Sequence, residues 1–168
     1  MQKVLVIGCP GSGKSTFSIT LHQVTGLPLV HLDMLYWNAD KTIVEKPVFR
    51  ERLTHALAQE AWIIDGNYAS TMELRMQYCD TVIFLDYPTE LCLEGIRARL
   101  GKPRPDMPWT DPEQEPDAAF VETVKTYPQR HRPAVLALLD KYADKTIYTF
   151  RSRREAQDFL AGLHPRIR

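Results

Sequence analysis

The sequence predicts an α/β fold: a five-stranded parallel sheet with helices on both faces, in three layers. Three observations predict it. Short, β-branched apolar runs alternate with longer amphipathic segments along the chain, the pattern of successive βα units. A glycine-rich turn separates the first apolar run from the first helical segment. And 168 residues, 44% hydrophobic and 25% charged, are enough for one packed core without disulfide or metal support.

Val4-Leu5-Val6-Ile7 is continuously apolar and reads as a buried parallel strand. Gly8 to Gly13 turns the chain, and Lys14 to about Val24 reads as a helix stopped by Gly26. Leu27 to Leu32 is the second strand. Pro47 to about Glu60 is helical, with proline in the first turn and Phe49, Leu53, Ala56 and Leu57 on one face. Trp62 to Ile64 is the third strand, ended by Asp65-Gly66. Ser70 to Tyr78 is a short helix, with Ser70 and Glu73 at capping-box spacing. Thr81 to Leu85 is the fourth strand, followed by a helix from Pro88 to about Leu100. From Gly101 to Asp117 the pattern breaks. Pro103, Pro105, Pro108, Pro112 and Pro116 exclude a helix, and Asp106, Asp111, Glu113, Glu115 and Asp117 make the segment acidic. A stretch of this length inside a compact domain reads as a functional lid or a disordered segment. Ala118 to Tyr127 and Pro133 to Tyr142 are helices, and Thr146 to Phe150 is the fifth strand. Ser152 and Glu155 form a second capping box, opening a last helix to about Leu163. No repeat or linker divides the chain, so residues 1–168 form one domain with a lid insertion at about 101–117.

Lys plus Arg and Asp plus Glu are both 21, giving zero net charge. Strong direct binding to DNA, which needs a basic footprint, is therefore not expected. The longest apolar runs, such as Val4 to Cys9, fall far short of the ~18 residues of a membrane span. Cys9, Cys79 and Cys92 lie far apart, as reduced thiols of a cytoplasmic protein do. His22, His31, His55, His131 and His164 share no metal-ligand spacing and read as structural or surface residues.

Gly8-Cys9-Pro10-Gly11-Ser12-Gly13-Lys14-Ser15 fits the phosphate-loop pattern G-x-x-x-x-G-K-S/T in full, after a strand and before a helix. The glycines let backbone N–H groups turn inward around a phosphate, and the helix points its positive end at the anion. Lys14 is placed to reach the β- and γ-phosphates, Ser15 to offer its hydroxyl to Mg²⁺, and Thr16 to contact the α-phosphate. Gly8, Pro10, Gly11, Ser12, Gly13, Lys14, Ser15 and Thr16 are the candidate nucleotide-binding residues. The chain has no guanine-reading Asn-Lys-x-Asp and no strand ending in Asp-Glu. Arg97, Arg99 and Arg104 instead flank the insertion, which suits closure over a transferring phosphoryl group better than hydrolysis. Two residues apart on a helix, Arg97 and Arg99 point in different directions, one toward nucleotide and one toward solvent.

Further segments carry a resemblance: HLDMLYW at His31 to Trp37, WIIDGNYAST at Trp62 to Thr71, VIFLDYP at Val82 to Pro88, RPDM at Arg104 to Met107, and TYP with RP around Tyr127 to Pro133. With the phosphate loop, they resemble the adenylate-kinase-like P-loop kinases, relatives of the nucleoside monophosphate, shikimate and gluconate kinases. More closely they resemble the bacterial group called DNA topology modulation proteins. In that group a Gly-Cys pair often follows RPDM; here Pro108-Trp109-Thr110 stands there.

The resemblance implies the sheet order 2-3-1-4-5, with ATP and Mg²⁺ at the carboxyl ends of the strands. It implies that Asp33 contacts the acceptor, as base where the acceptor is a hydroxyl, and that Asp65 holds Mg²⁺ through water. Asp86 competes with Asp65 but reads as a cap for the following helix. Asn67 and Tyr68 face the acceptor pocket, Arg75 grips an anionic acceptor, and Tyr36 and Trp37 wall the pocket or stack on a planar acceptor. Trp109 is placed to dock when the lid closes. Lys14, Asp33, Arg97 and Arg104 form the candidate catalytic set. One of Arg151, Arg153 and Arg154 covers the base, and the others are solvated.

The expected activity is transfer of the γ-phosphate of ATP to a nucleotide, a nucleoside or another small alcohol, by a monomer or homodimer. The alternatives are a slow ATPase and a non-catalytic ATP-binding regulatory protein associated with DNA topology.

Overall fold

A computed structural model describes residues 1–110 and 115–163. Asp111, Pro112, Glu113 and His164 lie outside the described residues. The elements run β1 (Lys3–Gly8), α1 (Lys14–Thr25), β2 (Leu29–His31), α2 (Leu32–Tyr36), α3 (Lys46–Leu57), β3 (Trp62–Asp65), α4 (Ala69–Tyr78), β4 (Thr81–Leu85), α5 (Thr89–Ala98), α6 (Ala118–Arg130), α7 (Arg132–Lys141), β5 (Thr146–Phe150) and α8 (Arg153–Gly162). All sheet pairings are parallel, and the five strands lie in the order β2-β3-β1-β4-β5.

Alternation along the strands builds the two interior layers. Val4, Val6, Ile63, Ile83 and Leu85 pack with Phe17 and Leu21 of α1 and Ala156 of α8. The intervening Leu5, Ile7, Ile64, Val82 and Phe84 meet Leu53 of α3, Met72 and Met76 of α4, and Val135 and Leu139 of α7. A third, smaller core joins Cys9 to Cys92 and Ile96 of α5 and Val124 and Tyr127 of α6, above the carboxyl end of β1. All three cysteines are free and buried. Among the described residues no helix is long and apolar enough to cross a membrane.

Several local expectations change. The second strand is shorter than Leu27 to Leu32, because the chain leaves it at His31 for the one-turn α2. The Ser70–Glu73 capping box does not form: α4 starts at Ala69, and Glu73 bonds Lys141 and Tyr142 instead. The Ser152–Glu155 box does form, with Ser152 Oγ accepting from Glu155 N at 3.2 Å. Helix α6 runs through Pro128 to Arg130 rather than ending at Tyr127. Proline removes the donor for the carbonyl four residues back. That carbonyl, on Val124, receives the Cys9 thiol at 4.0 Å instead.

Candidate active site

A cleft of about 1280 Å³ runs along the carboxyl ends of the strands. The phosphate loop lines one side, Asp33, Trp37, Asn67 and Tyr68 the other, and Arg99 and Arg104 to Asp106 line it from the insertion.

The loop is formed by contacts that its sequence dictates. Gly11 has φ of 83°, and a Cβ there would fall 2.1 Å from the Cys92 carbonyl oxygen. A Cβ on Gly95 would fall 1.9 Å from the Gly11 oxygen, so the loop backbone lies directly against α5. Lys14 turns back over the loop, its ammonium donating to Gly8 O at 2.9 Å and Cys9 O at 3.1 Å. Burial lowers its pKa, against the pull of Asp33. Ser12 Oγ is buried in the loop without a partner. An ammonium resting on its own loop, an orphaned hydroxyl and an α1 N-terminus at Lys14 fit the phosphates of a nucleotide. For Mg²⁺ the donors at hand are Ser15 and nearby carboxylates. Among the described residues no three His, Cys, Asp or Glu side chains are grouped as a ligand set. Mg²⁺ is commonly held by one or two carboxylates and substrate phosphates, so this sparse set fits it.

Across the cleft, Asp33 on α2 accepts a short hydrogen bond from the Tyr68 hydroxyl. Burial raises the Asp33 pKa, partly offset by that bond and by Lys14. Tyr68 sits at φ 35°, a backbone region that costs a bulky residue about 1–3 kcal/mol. The strained residue is the one that orients the Asp33 carboxylate. Asn67 Oδ1 accepts from Gly8 N at 3.2 Å, tying this side to the phosphate loop.

Strand register pairs His31 with Asp65 on β3, and His31 Nδ1 lies 2.7 Å from Asp65 Oδ2. Burial alone would lower the imidazole pKa, but the Asp65 carboxylate outweighs it and holds the pKa above its ordinary value. Metal-ligand spacing gave His31 no site role, whereas the structure makes it the partner of Asp65.

Arg75 requires a correction. It is fully buried, and its guanidinium donates to the carbonyls of Gly66 at 2.8 Å, Tyr68 at 3.1 Å and Asn67. It holds the acceptor-side loop in shape and does not reach into the cleft. Arg97 is corrected too: it is exposed and lies off the cleft, while Arg99 lines it and stacks on Phe120 at 5.1 Å. Helix phase decides this, since α5 turns Ile96 into the core and Arg97 outward. Asp86 is not a helix cap. Arg132 grips it with Nε and Nη2, both at 2.8 Å. Arg153 lines the cleft, whereas Arg154 is exposed beside Asp158.

Of the aromatic pair, Trp37 lines the cleft, and Tyr36 packs edge-on against Phe49 and close to Tyr68. Trp109 meets Trp37 edge-on at 5.4 Å, so insertion and acceptor side touch. The residue missed at the sequence level is Asp106. It is 5% exposed. It accepts from Ser15 Oγ at 2.7 Å, and from Arg104 Nε at 3.2 Å and Nη2 at 2.8 Å. Its place in RPDM is the only signal that could have marked it.

Sheet order, loop and cleft together define the three-layer fold of the P-loop kinases. A shikimate kinase from Bacteroides thetaiotaomicron is similar, with a TM-score of 0.54 over 95% of this chain and 94% of that one. The two sequences are 17% identical, so the likeness is one of fold. No protein-family model and no curated protein matches the sequence.

Proposed function

We propose that the chain is an ATP- and Mg²⁺-dependent phosphotransferase acting on a small acceptor, a nucleotide, a nucleoside or another small alcohol. The observation that carries this reading is the placement of Asp33 and Lys14 on the walls of one cleft, close enough for each to shift the other's pKa. Fold likeness to a kinase supports it. ATP would supply the phosphoryl group, and Mg²⁺ would neutralise its charge. Lys14 leaves its loop carbonyls for the β- and γ-phosphate oxygens. Ser15, and Asp65 through water, would hold the metal. Asp33, oriented by Tyr68, holds the acceptor hydroxyl and takes its proton. Arg104 and Arg99 bring positive charge to the transferring group, and Trp37 and Trp109 exclude water. Asn67 and Tyr68 bound the acceptor. Catalysis is then positioning and electrostatics. The enzyme works in the cytoplasm as a monomer or homodimer.

The test is ADP formation from ATP and Mg²⁺ with a panel of nucleoside monophosphates, nucleosides, sugars and hydroxy acids, beside a lane without acceptor. Acceptor-dependent turnover that falls about 10²–10³-fold in Lys14→Ala establishes the reading. Phosphate release independent of acceptor replaces it with an ATPase. Nucleotide binding without turnover on any acceptor favours the regulatory alternative linked to DNA topology.

A further inference from the structure

We infer that Asp106, a lid residue, supplies the carboxylate that completes the divalent-cation site beside Ser15, so that this site exists only when the lid is down. The inference rests on the phosphotransferase reading above and deepens it. A serine that gives an oxygen lone pair to a metal still carries a hydrogen, and that hydrogen needs an acceptor beside the metal. Asp106 Oδ2 already takes it, at 2.7 Å from Ser15 Oγ. Asp65, the carboxylate on the strand end, has its Oδ2 occupied by His31 at 2.7 Å. Asp106 is buried, and its two oxygens accept from Arg104 and Ser15, so its carboxylate is held against the Ser15 hydroxyl. It also comes with a cation of its own. Arg104 spans both its oxygens, so the same movement that delivers the carboxylate to the metal delivers a guanidinium to the phosphates. Trp109 rests on Trp37 three residues further on, so the segment is seated on both walls of the cleft at once.

The test is calorimetry with ADP on the full chain, once with Mg²⁺ and once with EDTA in its place, together with hydrogen exchange at the backbone amides of Arg104 and Asp106. In the parent, Mg²⁺ tightens ADP and protects these amides. In Asp106→Asn the gain from Mg²⁺ falls about tenfold and the protection is lost. ADP affinity in EDTA stays within about twofold or improves, since one negative charge has left the phosphate site. A gain from Mg²⁺ that survives intact in Asp106→Asn overturns the inference. So does a variant that binds ADP more tightly by the same factor with and without Mg²⁺, because Asp106 is then a plug and not a metal residue. Should Asp106→Asn not fold, Asp106→Ser, which also removes the carboxylate, carries the same comparison. A reduced Mg²⁺ gain supports the inference and a full one overturns it. The readout needs no acceptor. A chain with this metal dependence that phosphorylates nothing fails the proposed function and leaves the inference standing. Turnover that keeps its Mg²⁺ dependence in Asp106→Asn does the reverse.

Discussion

The two walls of the cleft are built by different means. On the phosphate-loop side the backbone does the shaping. Gly11 lies against the turn of α5 that contains Cys92 and Gly95, and the one long side chain, Lys14, leans on loop carbonyls. On the acceptor side the groups are set by side chains: Tyr68 on Asp33, His31 on Asp65, and Arg75 on three successive carbonyls. A backbone site binds what every nucleotide shares, its phosphates, and tolerates little change of residue. A side-chain site can be re-cut residue by residue for another acceptor while the chemistry opposite stays in place.

That contrast can be broken most severely at Asp33. Asp33→Asn should lower kcat by about 10²–10⁴-fold, with nucleotide affinity little changed, as measured by steady-state kinetics and calorimetry. In the parent, burial raises the Asp33 pKa, so the acid limb of kcat/KM should fall at a pH above the ordinary carboxylate range. Tyr68→Phe removes a bond that favours the ionised form and should move that limb higher still. A limb that stays put would remove Asp33 from the role of base.

Arg75 separates shape from recognition. Arg75→Ala leaves several buried carbonyls without donors, at about 1–3 kcal/mol for each unsatisfied group. Thermal melting should show a large drop, whereas a residue that only gripped the acceptor would raise KM and leave the melting temperature alone. His31 gives a smaller effect with a sign. Its folded-state pKa is raised, so its contribution is complete below the ordinary value of 6.5 and is lost as pH rises through the raised value. The melting difference between the parent and His31→Asn should be greatest at acid pH and fade toward alkaline pH. Arg97→Ala should do least, changing stability by no more than about 0.5 kcal/mol and turnover hardly at all. Arg99→Ala, two residues further on, should slow turnover.

The backbone wall was legible in the sequence because its demands are local. Glycines at fixed offsets, a lysine and a serine between an apolar run and a helix can be read without knowing what lies nearby. The centre of the sheet was legible for the same reason, since β3, β1 and β4 each carry an unbroken, buried apolar run. On the side-chain wall the resemblance named Asp33, Trp37, Asn67 and Tyr68, which line the cleft, but not the partners that set these groups, because those partners are distant in sequence. His31 and Asp65 are 34 residues apart and are joined by strand register. Ser15 and Asp106 are 91 apart and are joined across the cleft. Arg75 has the right distance from Asp65 to reach an acceptor, but which way its guanidinium points depends on the bend at Gly66 to Tyr68. Arg97 and Arg99 could be told apart in principle and not in assignment, because the phase of α5 is set by Cys92 and Ile96 in a core made with α6. Pro128 misled in the other direction, since the cost of proline in a helix was met by a thiol from a different part of the chain.

Helix α5 touches the Gly11 backbone near its middle, at Cys92 and Gly95, and hands the chain to the insertion at its end. With no side chain between the two backbones, there is no rotamer that can adjust and absorb a displacement. The helix behaves as a stiff lever resting on the phosphate loop, with Gly101, at φ 66°, as the first joint beyond it. A shift in the phosphate loop is therefore passed along α5 toward Gly101 with no side chain to damp it.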